Sequence, residues 1–328
     1  MSSTKKPNPA YRILNAEPSG YSAEAHALLS QVGIPVEKEM TRAELLQELP
    51  KYDVLIVRLG HQVDREVIEA GLNLKAIVSA TTGLDHIDVE SAQARSISVL
   101  SLKGETDYLR DIRATAEHTW ALLLGLLRRL VPAALAARSG NWNRDAFRGR
   151  ELQDQDIGIV GLGRIGKMIV RYGQVFGMGV GAFDPYTREW TDGVWQASTL
   201  EQLLASSTVL TLHVPLNNET RGMIGPTELQ QLPRGAVLIN TSRGQLIDET
   251  ALVKSLENGH LAGAALDVIA DERNSDRLQK SPLLDYAKKF DNLLITPHIG
   301  GATYESMAKT EIFMARKLTE FIRNLNKN

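Results

Sequence analysis

The first hundred residues alternate short apolar runs with segments whose apolar positions have helical spacing. The apolar runs at 11–14, 53–57, 76–79 and 97–100 predict strands, and the segments at 23–32, 65–70 and 89–94 predict helices. Strands that alternate with helices favour a parallel sheet with right-handed crossovers. The pattern therefore predicts a small α/β domain in this region.

A longer helical pattern follows. Residues 108–137 predict one long helix, which Pro132 is expected to kink or divide. The helix has an apolar surface that is wide for an element covering a single sheet. That surface comprises Trp120, Leu122, Leu123, Leu126 and Leu127. Two interpretations stay open: burial between two domains, and a subunit interface.

Residues 156–184 carry the pattern around which the chain is organised. Gly161, Gly163 and Gly166 follow an apolar run in the spacing G-x-G-x-x-G, and a helical pattern begins directly after them. In such a unit the first glycine permits a tight turn and the second lets a pyrophosphate approach the backbone. The third lets helix and strand pack closely, and the helix N-terminus offers N–H groups to phosphates. We predict a dinucleotide site; the alternative is a βαβ unit whose glycines serve packing only.

The next apolar run, 178–183, ends on Asp184. An acidic residue about 20 positions after the glycine motif can accept hydrogen bonds from the ribose hydroxyls of NAD. The same carboxylate would repel the 2′-phosphate of NADP. The cofactor predicted from these residues is therefore NAD.

After Asp184 the α/β alternation continues. Apolar runs at 209–212, 236–239, 264–266 and 293–295 predict strands, with helices at 200–205, 249–257 and 304–325. Residues 151–297 thus supply about six strands for a doubly wound sheet, whose ligands bind beyond the carboxyl ends of the strands. The polar positions that follow the strands are Asp184, His213 with Pro215, 241–244, 267–272 and 297–298.

Composition and charge exclude several classes of protein. The 328 residues, 43% of them hydrophobic and 23% charged, suit two packed domains and show no sign of disorder. A net charge of −2 favours neither nucleic acid nor an anionic membrane as partner. The absence of cysteine excludes disulfides and thiolate catalysis, and no histidine pair has the spacing of metal ligands. No signal peptide or membrane span is predicted, and we expect a cytoplasmic protein.

Taken together, these segments resemble the D-isomer-specific 2-hydroxyacid dehydrogenase family over essentially the full chain. The matching motifs are TTGLDHID (81–88), AEHTWALLL (116–124), VGLGRIG (160–166), LHVPLNNETRGMIG (212–225), LINTSRGQLIDETAL (238–252), GAALDV (263–268) with Glu272, and TPHIGGAT (296–303). The resemblance implies two doubly wound, parallel-sheet α/β domains with a cleft between them. Residues 108–303 would form a Rossmann NAD-binding domain, and residues 1–107 with the helix at 304–328 would form the substrate domain.

The resemblance implies a catalytic set of Arg243, Glu272 and His298. An arginine presents a planar, permanently charged fork that can bind a substrate carboxylate and polarise the adjacent carbonyl. A histidine can donate a proton to the developing alkoxide during reduction or accept one during oxidation. Glu272 beside the imidazole would orient it and favour its protonated form. Taken alone, each of these residues would more often have a structural role, so the assignment depends on the motifs.

The family's motifs also imply contacts to the cofactor and to the substrate carboxylate. Arg164 and Ile165 would bind the pyrophosphate through their backbone, and Asp267 would hold the nicotinamide carboxamide. The turn at Thr82 and Gly83 would offer backbone N–H groups to the substrate carboxylate. The implied cofactor residues are Gly161, Gly163, Arg164, Ile165, Gly166, Asp184, His213, Pro215, Thr220, Thr241, Asp267 and Thr119.

Two further segments resemble the phosphoglycerate dehydrogenase branch of the family. VRLG (57–60) contains Arg58 and GNWNRDAFRG (140–149) contains Arg144, at positions where that branch has arginines that reach the substrate and its phosphate. Two guanidinium groups would suit a doubly anionic substrate, and the alternative for both is an ordinary exposed arginine. The segment 101–118 is longer and more charged than the family's usual connection, which lines the substrate site, so the substrate is left open.

The sequence therefore predicts an NAD-dependent oxidoreductase that interconverts a D-2-hydroxy acid and its 2-oxo acid by hydride transfer. 3-Phosphoglycerate is one candidate substrate. The alternatives are a glyoxylate or hydroxypyruvate reductase and, in a different class, a non-catalytic NAD-sensing protein like the corepressors of the wider family. We expect a small anionic substrate, no nucleic-acid or membrane partner, and a homodimer; the homodimer is inferred from the resemblance and from the apolar helix near Trp120.

Overall fold

The computed structural model describes residues 11–327. The chain forms two compact units: one extends to Leu109 and resumes at Tyr304, and the other is Arg110–Thr303. The first division lies two residues after the predicted boundary at 107/108, and the second lies at the predicted return at 304. Residues 1–10 and 328, which the prediction assigned to the substrate domain, lie outside the described residues.

The first unit is built on a five-stranded parallel sheet in the order β2-β1-β3-β4-β5. Its strands are β1 Tyr11–Asn15, β2 Gly33–Glu37, β3 Val54–Val57, β4 Ala76–Ser79 and β5 Ser98–Ser101. Its helices up to this point are α1 Ala23–Leu29, α2 Arg42–Glu48, α3 Arg65–Ala70, α4 Val89–Ala94 and α5 Thr106–Leu109, with a 3₁₀ turn at Leu49–Lys51. This order reverses direction at β1 and β3, as in other doubly wound sheets.

The exposed elements β2 and α2 of this unit were not predicted. β2 is an edge strand that contains Pro35 and has no buried residue, so it shows no apolar run. α2 buries only Leu45 of its seven residues, and its start is set by a capping box in which Thr41 and Glu44 exchange hydrogen bonds. Because both elements are largely exposed, their sequences show no hydrophobic periodicity from which they could be predicted.

The second unit is built on a seven-stranded parallel sheet in the order β12-β11-β10-β9-β6-β7-β8. Its strands are β6 Asp156–Val160, β7 Gly179–Phe183, β8 Trp195–Gln196, β9 Val209–Leu212, β10 Ala236–Asn240, β11 Leu261–Leu266 and β12 Leu293–Ile295. Its helices are α6 Ala114–Leu127, α7 Leu130–Arg138, α8 Arg164–Val175, α9 Leu200–Ser206, α10 Pro226–Gln231, α11 Glu249–Glu257, α12 Ser275–Leu278 and α13 Pro282–Ala287, with 3₁₀ turns at Arg144–Phe147 and Gly244–Leu246. The predicted fold of two parallel-sheet α/β domains is confirmed, and the strand beyond the predicted six is β8, a two-residue exposed edge.

The helical segment predicted over 108–137 is divided, as expected, but at Arg129 and not at Pro132, and residues 108–113 precede α6. The chain breaks between α6 and α7 at Arg129, whose φ of +49° ends the helical path. Pro132 lies in the first turn of α7, where a missing N–H costs no hydrogen bond. The five apolar residues of the predicted surface are all buried in the core of the second unit. That surface therefore needs no subunit interface to explain it.

The chain ends with α14, Tyr304–Leu325, which returns to the first unit and packs against α1. Met314, Leu318 and Ile322 recur every fourth residue along its buried face. Among the described helices, none is by itself long and apolar enough to cross a membrane. α6 and α7 reach that length and composition only as a pair bent by 64°.

Candidate active site

The carboxyl ends of six neighbouring strands of the second unit lie in register. Across the sheet the paired residues are Ile295 with Leu266, Leu266 with Asn240, Asn240 with Leu212, Leu212 with Val160, and Val160 with Phe183. Each of these is the last residue of its strand, so the segments that follow all begin at one edge of the sheet. Ligands of doubly wound sheets bind at this edge. The structure brings together here the predicted segments after all six strands.

The glycine loop after β6 has the shape that a dinucleotide requires. Gly161 has a φ of +93°, and a Cβ on it would lie 2.8 Å from the carbonyl oxygen of His213. A Cβ on Gly166 would lie 2.1 Å from the carbonyl oxygen of Gly161, so only glycine allows α8 to pack this closely. Gly163, in contrast, faces open space and precedes α8 without a side-chain cap. That space and the N–H groups of the first turn of α8 fit a pyrophosphate.

Asp184 ties the end of β7 to the glycine loop. Its Oδ2 accepts a hydrogen bond from the Leu162 N–H at 2.8 Å, and its Oδ1 accepts from the N–H groups of Tyr186 and Thr187 at 2.9 and 3.1 Å. A carboxylate has about four acceptor positions, so it can also accept from a ribose hydroxyl. Its position fits the predicted recognition of the ribose.

The turn after β10 presents Arg243. Asn240 is fully buried; its Nδ2 donates to the carbonyl of Arg243 at 2.8 Å and its Oδ1 accepts from the Ser242 N–H at 2.9 Å. A Cβ on Gly244 would lie 2.0 Å from the carbonyl carbon of Ile269, so the turn packs directly against the loop after β11. Sequence reasoning named Arg243 and the segment 241–244 that contains Gly244, but it missed Asn240, whose signal is a polar residue at a strand end.

His298 and Glu272 form a short contact at the same edge. The Nδ1 of His298 lies 2.6 Å from the Oε1 of Glu272, and the two side chains are 21% and 22% exposed. A carboxylate on Nδ1 holds the ring orientation and leaves Nε2 as the nitrogen that can exchange a proton. The structure therefore brings together the predicted histidine–carboxylate pair, from the loops after β12 and β11.

Asp267 fastens the turn that carries His298. The carboxylate is 1% exposed and accepts hydrogen bonds from the Thr296 hydroxyl at 2.6 Å, from the N–H groups of Ile299 and Gly300 at 2.8 and 2.7 Å, and from His118 Nε2 at 3.1 Å. Burial pushes the pKa of Asp267 upward, but the hydrogen bonds from His118, Thr296 and the two amides outweigh it, so the net pKa is lowered. The group therefore remains an anion that gathers four donors.

These bonds hold His298 in a conformation that is rare for a residue with a side chain. Its φ is +55°, and its N–H donates to the carbonyl of Asp267 at 2.8 Å. A Cβ on Gly300 would lie 2.8 Å from Asp267 Oδ2, so glycine is needed there for the approach. Backbone strain of this kind persists only where the surroundings over-determine it. The predicted contact of Asp267 with the nicotinamide stays a prediction; the geometry adds a positioning role, in which His118 takes part.

The other predicted cofactor residues occupy several environments. The Thr220 hydroxyl donates to the carbonyl of Pro215 at 2.7 Å and closes the turn after β9. Thr119 and Thr241 are buried and share a hydrogen bond of 2.8 Å between their hydroxyls. Desolvation lowers the pKa of His213 to about 3, so its ring is neutral near pH 7. A neutral imidazole agrees with our choice of a different histidine as the proton donor.

The predicted substrate residues divide between the two units. Arg144 is in the second unit, where its side chain is 93% exposed and its Nε lies 3.9 Å from Asp145. Arg58, Thr82 and Gly83 are in the first unit. Arg58 follows β3 and forms an ion pair with a buried carboxylate, whereas Thr82 and Gly83 form the turn after β4. The geometry of the described residues does not test their contact with a substrate, so these assignments stay predictions.

The unusual segment 101–118 is a packed part of the structure. In the first unit, Tyr108 stacks on Phe313 of α14 with ring centroids 4.0 Å apart, and Lys317 Nζ donates to Glu105 at 2.5 Å. In the second unit, Arg164 donates to the carbonyl of Ile112 at 2.5 Å.

Among residues 11–327 no group of three or more His, Asp or Glu side chains is arranged to hold a metal ion.

Comparison with known proteins identifies a matching family and several relatives of this chain. Residues 120–300 match the family described as "D-isomer specific 2-hydroxyacid dehydrogenase, NAD binding domain". A D-3-phosphoglycerate dehydrogenase of Archaeoglobus fulgidus is 35% identical over 316 residues, which are 96% of this chain and 58% of the relative. A hydroxypyruvate reductase of Thermotoga maritima is 33% identical over 309 residues, which are 94% of this chain and 97% of the relative.

The fold is similar to solved structures as well. The structure of D-lactate dehydrogenase from Aquifex aeolicus, complexed with NAD and lactic acid, has a TM-score of 0.82 and 28% identity, and the match covers 95% of this chain and 96% of that one. The chain spans little more than half the length of the D-3-phosphoglycerate dehydrogenases it matches. The family match covers residues 120–300, and the hydroxypyruvate reductase is matched over 97% of its own length. The chain therefore belongs to the D-isomer specific 2-hydroxyacid dehydrogenase family.

Proposed function

We propose that the protein is an NAD-dependent oxidoreductase that interconverts a D-2-hydroxy acid and its 2-oxo acid. The observation that carries the proposal is the 2.6 Å contact between His298 Nδ1 and Glu272 Oε1, at the sheet edge that also bears the glycine loop. A proton-exchanging histidine and a dinucleotide site on one edge are the two parts that such a reaction requires.

The glycine loop and Asp184 would hold NAD, whose nicotinamide would supply the hydride donor or acceptor for C2 of the substrate. Arg243 binds the substrate carboxylate and polarises the C2 carbonyl. His298 Nε2 donates a proton to the oxygen on C2 during reduction and takes it back during oxidation. Glu272 stabilises the imidazolium, while Asn240 and Asp267 hold the two turns in place.

The test is a panel of 2-oxo acids offered to the purified protein with NADH, followed at 340 nm. Oxidation of NADH with at least one member, and a D-configured product by chiral chromatography, are expected. NADH binding without turnover of any member would overturn the proposal and favour the NAD-sensing alternative.

The preference for NAD is part of the proposal. Asp184 presents a carboxylate beside the glycine loop, at the end of the strand where the predicted ribose site would place a 2′-phosphate, and such a group discriminates strongly. We expect kcat/KM with NADH to exceed that with NADPH by about 100-fold, since one like-charge contact costs several kcal/mol. Asp184→Ser should bring the kcat/KM values for NADH and NADPH closer together. Equal kcat/KM values for the two cofactors in the wild-type protein would contradict the role of Asp184.

We also propose a homodimer, on the basis of a surface other than the predicted one. α7 exposes Leu130, Val131 and Leu135, and the turn after it exposes Trp142, whose residue exposure is 87%. Clustered exposed apolar side chains mark contact surfaces. Light scattering should give twice the chain mass for the wild-type protein and the chain mass for Leu135→Glu; a monomeric wild-type protein would contradict the proposal.

A further inference from the structure

Arg58 has a partner inside its own unit. Its Nη2 lies 2.6 Å from Glu311 Oε1 on α14, and its Nη1 donates to the carbonyl of Ser19 at 2.8 Å. The other carboxylate oxygen of Glu311 accepts from the Ser22 N–H, at the start of α1, at 2.7 Å. The guanidinium is therefore fixed by two acceptors from different parts of the first unit.

The partner of Arg58 is buried deeply. Glu311 is 2% exposed, whereas the Arg58 side chain is 22% exposed. Burial raises the pKa of Glu311 above its usual value, and the Ser22 N–H and Arg58 offset only part of that rise. Glu311 thus depends on Arg58 for its charge, because a buried carboxylate without its cation is strongly disfavoured.

This ion pair changes what Arg58 can do for a ligand. A phosphate that approached the guanidinium would have to compete with a carboxylate 2.6 Å away. It would also meet the negative charge of that carboxylate in surroundings that screen it poorly. The pair of Arg58 and Glu311 is close to neutral as a unit, so it offers no net attraction to a second anionic group.

The arginine predicted to reach a phosphate, Arg144, lies in the second unit. Arg144 projects from a 3₁₀ turn with its side chain 93% exposed. Of the two predicted substrate arginines, Arg58 is the one whose guanidinium is already paired with a buried carboxylate.

We propose that Glu311 is a specificity-determining residue that reserves Arg58 for the protein, so that the substrate is a 2-oxo or 2-hydroxy acid without a phosphate group. The proposal rests on the proposed function and names its substrate class: a monoanionic acid, recognised through its single carboxylate. The Arg58–Glu311 pair then joins the loop after β3 to α14 and to the start of α1.

The direct test compares two substrates that differ only in the phosphate, hydroxypyruvate and 3-phosphohydroxypyruvate, with NADH and the full-length protein. We expect kcat/KM for the unphosphorylated acid to be higher by at least about 100-fold, the discrimination available to a site with an unfavourable charge. Equal or better use of the phosphorylated acid would overturn the inference while leaving the proposed function intact. No turnover of any 2-oxo acid would instead overturn the proposed function.

A variant tests the residue itself. Glu311→Gln keeps the shape of the side chain but removes its charge, so Arg58 regains a net positive charge. The ratio of kcat/KM for the phosphorylated acid to that for the unphosphorylated acid should rise at least tenfold, and adding Arg58→Ala should remove the gain. A ratio that stays within twofold of the wild-type value would contradict a specificity role for Glu311.

Two controls separate specificity from folding and from turnover. Glu24→Gln breaks a different ion pair to α14, the exposed one between Glu24 of α1 and Arg316 at 3.2 Å, and it should leave the ratio unchanged. Thermal-shift titration with 3-phosphoglycerate needs no catalysis: stabilisation is expected for Glu311→Gln and not for the wild-type protein. Equal stabilisation of both proteins would count against the inference even if the variant were poorly active.

Discussion

Two histidine–carboxylate pairs lie at the carboxyl edge of the second sheet, and they differ in burial and in the number of their partners. In the pair of His298 and Glu272 both side chains are about one-fifth exposed, and the principal bond of the carboxylate is to the ring at 2.6 Å. In the pair of His118 and Asp267 the carboxylate is almost fully buried and accepts from three further donors.

The difference separates two tasks. A group that takes up and releases a proton in each turnover needs access to the substrate and a partner that tolerates both charge states. A carboxylate held by four donors cannot change its charge cheaply, and it is suited to fixing the backbone around it. The exposed pair is therefore assigned to the reaction, and the buried pair to the position of the turn on which His298 stands.

The largest effect should follow from removal of the proton-exchanging ring. His298→Gln is expected to lower kcat by about 10²–10⁴-fold, the usual contribution of a positioned acid or base. The dissociation constant for NADH, measured by fluorescence titration, should stay nearly unchanged because the glycine loop is untouched. His26→Gln is the matched control, since His26 forms a similar pair with Glu37 at 2.7 Å in the first unit. A His298→Gln variant that kept more than a tenth of the wild-type kcat would contradict the assignment of the His298–Glu272 pair to the reaction.

The next effect should come from the partner of that ring. Glu272→Gln can still accept a hydrogen bond from the imidazole, but it does not stabilise the charged ring. A loss in kcat of about 10–100-fold is expected, which corresponds to roughly 1.4–2.7 kcal/mol. Glu37→Gln is the control and should leave kcat unchanged, and a Glu272→Gln variant that kept the wild-type kcat would contradict this role of Glu272.

The buried carboxylate should affect stability more than chemistry. Asp267→Asn replaces one acceptor oxygen by a donor and leaves N–H groups unsatisfied, at a cost of about 2–3 kcal/mol. Thermal unfolding should shift down by about 5–10 °C for a unit of this size, and kcat should fall about tenfold or less because the turn loosens.

The stability difference should depend on pH with a definite sign. The folded-state pKa of Asp267 is lowered, so its contribution is present above the unfolded value of about 3.9 and is lost as the pH falls through the folded value. Wild-type and Asp267→Asn midpoints, followed by circular dichroism, should therefore converge below about pH 4. Midpoints that stay separated by the same interval down to pH 3 would contradict the assignment.

The smallest effect is expected from His118. His118→Asn removes one of four donors to Asp267, which costs about 1 kcal/mol, or about 2–4 °C in the unfolding midpoint. The rate kcat should change by less than about fivefold, since the other three bonds still hold the turn. A 100-fold loss would show instead that His118 takes a direct part in proton transfer, and the division between the two pairs would be wrong.

The prediction from sequence succeeded for elements whose buried residues form a clear hydrophobic pattern along the chain. The strands at 76–79, 209–212 and 293–295 and the helices at 249–257 and 304–325 have the predicted bounds, because each presents a clear apolar run or stripe. The edge strands β2 and β8 were missed because their residues are not buried. The break at Arg129 was misplaced because a proline in the first turn of a helix causes no disruption.

The sequence predicted the main residues of the candidate site, but not the hydrogen bonds that hold them in position. His298, Glu272 and Arg243 carry a motif, and their strand-end positions follow from the alternation of elements. Asn240, His118 and Thr296 also lie within the matching motifs, but no role was predicted for them, since a polar residue near a strand end or on a helix has many uses. Their roles appear only from the hydrogen bonds that they make to Arg243 and Asp267.

Some properties of this protein follow from the sequence by itself, because they depend on residues close together in the chain. The glycine spacing sets a turn that only glycine can adopt, Asp184 ends the next strand, and alternating elements force a parallel sheet with one ligand-binding edge. The tertiary structure decided which charges meet. Arg58 and Glu311 are 253 positions apart, and Asp267 accepts hydrogen bonds from α6 and from the segment after β12. Such pairings depend on how the units fold back on themselves, and no local pattern records them.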